Sequence, residues 1–181
     1  MWVRGIAPGA ILSFDVRPVN KTVLIAKIVE ALEAELELYA KSARAAHEEA
    51  THEQSKAENK YDTRGLEASY LAHGQAQQVA EVELAVQAYG LLEVRDFGPS
   101  DAIDMGACVE LETLSGRGGE RAFYFIGPKA GGTEVEFEGN QTLVITPQSP
   151  LGRQLQGRKQ GDRVKVEIAR VSNEYQVVLV R

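Results

Sequence analysis

The spacing of apolar residues divides the chain into a helical part and a part rich in strands. Between residues 19 and 89 there is no proline, and apolar side chains recur every three or four residues. This is the period of one face of an α-helix. After residue 90 the interval falls to two within short stretches that Gly- and Pro-containing turns separate, as expected for strands buried on one face. The pattern therefore predicts two units of different class.

The helical part contains two narrow stripes, each of the width found in a coiled-coil seam. Two helices of roughly 30 residues would form an antiparallel hairpin about 45 Å long. The reversal has two candidate positions, because Ser55 and Glu58 form a capping box, whereas Gly65 favours a turn from Asp62 to Gly65. The first stripe comprises Ile25, Ile28, Leu32, Leu36, Tyr39, Ala43, Ala46 and Ala50. The second comprises Leu66, Tyr70, His73, Gln77, Ala80, Leu84, Ala88 and Leu91.

The second part contains six alternating stretches, from "ACVELETL" to "EYQVVLV". In "SPLGRQLQGRKQGD", Ser149 and Pro150 can open a short helix that ends before Gly157. We therefore predict an α+β fold: an antiparallel helical hairpin, then a small antiparallel sheet of about five strands with one short helix. The predicted division is an extension at residues 1–18, a hairpin at 19–92 and a sheet domain at 93–181.

Composition narrows the class of protein. The 181 residues are 44% hydrophobic and 25% charged, with a formal net charge of −6. These values indicate a folded chain with no simple attraction to a nucleic-acid backbone. The only cysteine, Cys108, excludes an internal disulfide, and no apolar run is long enough to span a bilayer. We expect a monomeric, cytoplasmic protein that does not associate with a membrane.

Acidic residues cluster where the two predicted helices meet. Glu58 and Asp62 are four residues apart, so on a helix they share a face. Two carboxylates can supply part of the coordination shell of Mg²⁺, which takes its remaining ligands elsewhere. A solvated turn of mixed charge is the alternative explanation of the same residues. Glu53 and Glu67 are weaker candidates for the same role.

Other reactive side chains have structural explanations. His47 and His52 are five residues apart and cannot chelate one ion from a single helix face. We expect His73 to form an interhelical hydrogen bond in the seam, and Cys108 to be a buried thiol. Five basic residues could form a patch for an acidic partner or be scattered over the surface: Arg153, Arg158, Lys159, Arg163 and Lys165.

The stretch "ITPQSPLGRQLQGRKQGDRVKV" resembles the C-terminal signature of the bacterial Gre transcript-cleavage factors. In that family a strand leads into Ser-Pro, a small helix, Gly, then Gly-Asp and a further strand. The matching positions here are Ser149, Pro150, Leu151, Gly152, Leu155, Gly157, Gly161 and Asp162. The plan of a helical hairpin followed by a small FKBP-like domain is also similar to this family.

The resemblance implies a transcription elongation factor that binds RNA polymerase and is not itself an enzyme. The hairpin would enter the secondary channel, and its tip carboxylates, Glu58 and Asp62, would help to hold a second Mg²⁺ for cleavage of backtracked RNA. The factor would bind no cofactor alone and would act on nascent RNA indirectly. The resemblance also implies polymerase contacts at Asn59, Tyr61, Arg64, Ser149, Pro150 and Leu151.

One position departs from the family pattern, which is similar to Asp-x-x-Glu-Asn-x-x-Tyr. Glu58 and Asn59 match, but Ser55 stands at the first acidic position and Tyr61 comes one residue early. Either Asp62 or Glu53 replaces the missing carboxylate, or the factor occludes the channel without promoting cleavage.

Two further functions stay open from the sequence. The FKBP-like appearance allows a peptidyl-prolyl isomerase with a pocket drawn from Phe123, Tyr124, Phe125, Phe137 and Tyr175. Alternatively, the hairpin could be a scaffold or a dimerisation module, which exposed apolar stripes on its outer side would favour.

Overall fold

The computed structural model describes residues 20–51, 64–114, 119–168 and 171–181. Two long helices come first, α1 (Lys21–Thr51) and α2 (Arg64–Gly90). The remaining elements are β1 (Cys108–Thr113), β2 (Arg121–Ile126), β3 (Glu134–Phe137), β4 (Asn140–Ile145), α3 (Pro150–Leu155), β5 (Arg163–Ile168) and β6 (Val171–Val180). The predicted combination of a helical hairpin with a sheet domain and one short helix is confirmed.

The six strands form one sheet in the order β3-β4-β2-β1-β6-β5. The sheet has one strand more than the approximate count from the sequence, and it is not wholly antiparallel, because β2 and β4 pair in parallel. The parallel pair arises because β3 lies at the edge and β4 returns between β3 and β2. Glu138 and Gly139 connect β3 to β4 with φ values of 51° and 78°, as in a two-residue hairpin turn.

The two faces of the sheet are covered by different elements, because successive side chains of a strand point to opposite sides. On one face, α3 places Leu155 over a core that contains Val109, Leu111 and Val177. On the other face, Phe125 and Val144 lie in a cluster with residues of the hairpin. The sheet is therefore the middle layer between α3 and one end of the hairpin.

The hairpin seam is as predicted on α1. Ile28 and Leu32 are almost completely buried, and the other described members of the first stripe are buried or half-buried. The buried helix faces come together in an antiparallel arrangement, with the first turns of α1 beside the last turns of α2. Leu24 and Ile28 also contact the sheet, so α1 serves both the hairpin and the sheet domain.

On α2 the predicted seam is wrong. Leu66, Tyr70 and Leu84 are 57%, 70% and 51% exposed, and His73 is also exposed, outside the seam where we expected it to form an interhelical hydrogen bond. The inward face instead carries Val82, Ala85 and Tyr89, all of which are buried. The error arose because α2 carries apolar residues on two sides, and packing against α1 and the sheet selects one of them.

Candidate functional site

The base of the hairpin is fixed to the sheet domain by polar contacts as well as by the shared core. Asn20 begins the arrangement, since its side-chain oxygen accepts a hydrogen bond from the Val23 amide, as an N-cap does. Lys21 donates from Nζ to the carbonyl oxygen of Arg95 at 2.6 Å, and Lys27 donates from Nζ to that of Glu136 at 2.8 Å. Burial lowers the pKa of Lys21. These contacts determine the direction in which the hairpin leaves the sheet.

The last turn of α2 is held to the loop that follows β2. The Tyr89 hydroxyl donates to the carbonyl oxygen of Lys129 at 3.1 Å, and burial raises the pKa of this tyrosine well above its usual range. The hydroxyl occupies the space that a side chain at Gly127 would need. The loop and the helix therefore fit together only with glycine at this position.

Beyond these contacts the two helices extend away from the sheet. From Leu32 to Thr51 α1 continues for about 28 Å, and from Arg64 to Val82 α2 covers about 27 Å, at 1.5 Å per residue. α2 already includes Gly65, so the chain reverses before Arg64. The predicted turn from Asp62 to Gly65 is therefore wrong at Arg64 and Gly65, which are helical, while the capping box of Ser55 and Glu58 lies outside the described residues and stays a prediction.

Most of the predicted tip site lies outside the described residues. This applies to Glu53, Glu58, Asn59, Tyr61 and Asp62. Arg64 begins α2, and Glu67 lies exposed in its first turn, where the helix dipole favours a carboxylate. Within the described ranges there is no group of three or more His, Cys, Asp or Glu side chains that could hold a metal ion.

The Ser-Pro-Leu-Gly corner has a definite structural role at the start of α3. Ser149 accepts a hydrogen bond on Oγ from the Gly152 amide at 3.0 Å, and its hydroxyl donates to the carbonyl oxygen of Thr146 at 2.8 Å. Pro150 occupies the first turn of the helix, where a missing N–H costs nothing. A side chain at Gly152 would collide with the Thr146 carbonyl. Each residue of the corner is therefore explained by the local fold.

Of the three predicted partner-binding residues at this corner, only Pro150 is fully available. Pro150 is exposed, whereas Leu151 packs partly against the core and the Ser149 hydroxyl is used within the corner. The corner therefore presents the proline ring to a partner and holds it in a fixed position. Leu151 could contribute only the part of its side chain that stays accessible.

The five basic residues follow this corner and are all exposed. Arg153 on α3 and Lys165 on β5 line the same cleft of about 430 Å³, together with Pro150 and the acidic Glu167. Asp162 is occupied in a turn, where its carboxylate accepts from the Lys159 amide at 2.9 Å. The sequence left open whether these charges form a patch, and the structure brings at least Arg153 and Lys165 together beside Pro150.

Cys108 and the aromatic residues considered for a catalytic pocket have structural roles in the part of the chain that the structure describes. Burial raises the pKa of the Cys108 thiol to about 11, so the thiol stays protonated at neutral pH. Phe125 and Phe137 are buried in the core between the sheet and the hairpin. Tyr124 and Tyr175 pack against the core on the other face of the sheet. Phe123, Tyr124 and Phe137 line one cleft of about 220 Å³, whereas the fully buried Phe125 and the Tyr175 ring belong to two different cores, so the five aromatic residues do not form a single pocket.

Comparison with known proteins identifies the class of the sheet domain. Residues 98–181 match the family described as the C-terminal part of the transcription elongation factors GreA and GreB. The resemblance to the Gre family is thereby confirmed, and the sheet domain belongs to this family. A comparison with curated proteins returned no match. No helix in the described ranges is both long enough and apolar enough for a membrane span.

Two solved structures illustrate the likeness. One is GreA factor homolog 1 of Thermus thermophilus, which is 25% identical, with 84% of this chain and 94% of that chain covered and a TM-score of 0.36. The other is the GreA/GreB elongation factor of Nitrosomonas europaea, which is 21% identical, with 63% and 91% covered and a TM-score of 0.34. The family assignment itself rests on the match of the sheet domain.

Sequence reasoning missed the residues that orient the hairpin. Lys21, Leu24 and Ile28 follow one another at spacings of three and four residues, so the pattern already predicts that Lys21 lies on the inward face of α1. A buried lysine is unusual, and only the fold supplies its partners, Arg95 and Phe97. Tyr89 was missed because the opposite side of α2 offered a more regular stripe.

Proposed function

We propose that this chain is a transcription elongation factor that binds RNA polymerase and inserts its helical hairpin into the secondary channel. The observation that carries the proposal is the combination of a GreA/GreB domain with two long helices whose described residues share a core with it at their base. Such a rod can reach into a narrow passage while the sheet domain stays outside. The factor would work in the cytoplasm, where the polymerase is.

In this proposal the carboxylates of Glu58 and Asp62 act at the end of the rod. Carboxylate oxygens are suitable Mg²⁺ ligands, and a polymerase that holds the ion incompletely would provide the rest of the shell. The ion would supply an activated water for hydrolysis of backtracked RNA. Glu53 and Glu67 are the substitutes for either carboxylate, and the factor itself needs no bound cofactor.

The sheet domain would dock on the outside of the polymerase through the exposed Pro150 corner. Arg153 and Lys165 border the same cleft, so a negatively charged polymerase surface would favour this contact. At the tip, Asn59, Tyr61 and Arg64 would line the channel contacts.

An alternative within the same class is a factor that occludes the channel without promoting cleavage. Ser55 favours it, because this residue stands where the family pattern has a carboxylate. The two versions share the polymerase contact and differ only in what the tip does.

A transcript-cleavage assay on backtracked elongation complexes tests the proposal. We expect the wild type to bind and to accelerate cleavage, and Glu58→Ala/Asp62→Ala to bind equally well while losing the acceleration. Glu30→Ala/Glu37→Ala is the matched control, since it removes two exposed carboxylates from α1 near the base. Binding without cleavage by the wild type would establish the occluding version, and no polymerase binding at all would overturn both.

A further inference from the structure

Within the described residues, the hairpin covers one end of the sheet face on which it lies. Residues that pair across neighbouring strands share a face of a sheet. Phe125 and Val144 form such a pair, and both are completely buried in the cluster that contains the hairpin. At the other end of the face, Glu112 is half-buried and its partner Arg121 is exposed. The face therefore changes from covered to open between these two rows of side chains.

A cleft lies at this boundary. Here a single row takes one side chain from each of four adjacent strands: Leu179, Glu110, Phe123 and Thr142. All four line a cleft of about 220 Å³, which Leu24 in the first turn of α1 also borders. This volume is smaller than the roughly 300–1,000 Å³ of pockets for drug-sized ligands. The cleft therefore has room for a short chain or a single ring.

The interior of the cleft is mainly apolar. Its apolar lining includes four large side chains: Leu24, Phe123, Phe137 and Leu179. The one carboxylate on the central row, that of Glu110, accepts a hydrogen bond from Arg121 Nη1 at 2.9 Å. This carboxylate is therefore already neutralised, and the row offers a ligand apolar contact rather than an unbalanced negative charge.

Arg181 lines the same cleft and is incompletely paired. Its Nη1 atom lies 3.9 Å from the Glu138 carboxylate, and its buried Nε atom has no hydrogen-bond partner in the described part of the chain. A buried donor without a partner costs free energy. The guanidinium group carries five N–H donors in a planar fork that matches a carboxylate. Arg181 therefore has the capacity to bind a further acceptor.

Positive charge is in excess on this side of the cleft. Burial is the main cause that raises the pKa of the Cys108 thiol, which lines the cleft. Three nearby charges also act on this pKa, since Lys21 and Arg181 lower it and Glu138 raises it. Two further charges act on Lys21 in opposite senses, those of Asp96 and Arg95. Two cations against one carboxylate leave about one positive charge for a ligand to balance.

We propose that this cleft binds a small monocarboxylate, with its apolar chain or ring between Leu24 and Phe123 and its carboxylate at Arg181. The apolar body would be removed from water, and the carboxylate would accept charge-assisted hydrogen bonds from the guanidinium group. A monoanion matches the single excess charge, whereas a phosphate monoester carries about 1.5–2 negative charges at neutral pH. The site is independent of the proposed function, and it lies on the face of the sheet opposite to α3.

A ligand in this cleft would contact both parts of the protein at once. Leu24 belongs to the hairpin, whereas Phe123 and Arg181 belong to the sheet domain. A ligand that binds only the folded state stabilises it in proportion to its occupancy. The carboxylate would therefore strengthen the attachment of the hairpin, and amide hydrogen exchange in the first turns of α1 should become slower when the ligand is bound.

A nuclear magnetic resonance titration of the full chain tests the site with three probes that share one chain length: hexanoate, hexylamine and hexanol. We expect hexanoate to shift the amide resonances of Leu24, Cys108 and Phe123, with a dissociation constant on the order of 1 mM for a ligand of this size. Hexylamine and hexanol should bind at least about tenfold more weakly. Equal affinity for hexylamine or for hexanol would overturn the assignment of a carboxylate ligand.

Two variants locate the interaction. Arg181→Met should weaken hexanoate binding by about fivefold or more and leave hexanol binding unchanged, a difference that a purely structural effect would not produce. Leu179→Trp should fill the cleft and weaken the binding of both probes. Arg158→Met is the matched control, because Arg158 is exposed beyond α3, and it should change neither affinity.

Circular dichroism establishes that each variant is folded before its affinity is compared. Two results would overturn the proposal. One is a wild type whose Leu24, Cys108 and Phe123 amides do not respond to hexanoate up to about 20 mM, well above the expected dissociation constant. The other is a folded Arg181→Met variant that binds hexanoate as tightly as the wild type.

Discussion

Lys21, in the first turn of α1, is almost completely buried, and its ammonium group lies 4.4 Å from the centre of the Phe97 ring. The Arg95 guanidinium group lies 4.2 Å from the same centre. Lys21 also donates to the Arg95 carbonyl oxygen. One aromatic ring and one carbonyl group thus hold the start of the hairpin to the segment that leads into the sheet domain.

Replacing Lys21 with methionine should therefore destabilise the protein. The variant keeps the apolar contacts but leaves the Arg95 carbonyl without this donor and removes a cation–π contact. We expect a loss of about 1–2 kcal/mol in the free energy of unfolding, measured by urea titration. Lys27→Met is the control, because its hydrogen bond to Glu136 is exposed. Equal losses in the two variants would show that burial of Lys21 is unimportant.

The stability of the fold should fall between pH 9 and pH 11 because of Cys108. Burial raises the pKa of its thiol from 9.0 to about 11. The unfolded chain therefore loses this proton at a lower pH than the folded protein does. The contribution of the protonated thiol to stability is complete below pH 9.0 and is lost as the pH rises through 11. The loss of unfolding free energy is about 3 kcal/mol, since each unit of pKa difference corresponds to about 1.4 kcal/mol.

Cys108→Ala isolates this contribution from those of other groups that titrate in the same range. Its unfolding free energy, compared with that of the wild type at each pH, should show a difference that is constant up to pH 8 and shrinks towards pH 11. A difference that stays constant over the whole range would mean that the thiol has an ordinary pKa in the folded protein.

Gly152→Ala should be strongly destabilising, although the change adds one methyl group. The new Cβ would overlap the Thr146 carbonyl, a backbone atom that the Ser149 cap also holds in place. We expect a loss of about 2–4 kcal/mol, seen as a lower melting temperature by calorimetry.

Gly157→Ala provides the comparison within the same signature. Its φ of 79° is unfavourable for alanine, but an added Cβ meets no atom within 4 Å. The cost should be about 1 kcal/mol, from backbone conformation alone. If Gly157→Ala cost as much as Gly152→Ala, the steric explanation of the corner would be wrong.

Tyr89→Phe should loosen the base of the hairpin. The substitution removes the hydroxyl that donates to the Lys129 carbonyl oxygen and leaves a small gap next to Gly127. We expect a loss of about 1 kcal/mol and faster amide hydrogen exchange in the last turns of α2. Tyr70→Phe, at a site that is 70% exposed, should leave the free energy of unfolding unchanged.

The sequence determined the elements and one site in detail. Period-two alternation located the strands, the run without proline located both helices, and the Ser149 cap followed from residue chemistry alone, because these signals act over a few neighbouring residues. The signature also identified the family of the sheet domain. The tip carboxylates stay a prediction, since they lie outside the described residues.

Tertiary structure decided which of two apolar faces of α2 is buried. Periodicity reports that a face is apolar, but burial depends on what lies opposite, and here Val82 and Tyr89 fit against α1 and the sheet while Leu66 and Leu84 do not. The parallel pairing of β2 with β4 and the partners of Lys21 were also decided at this level. Each depends on contacts between residues far apart in the chain, which local patterns do not encode.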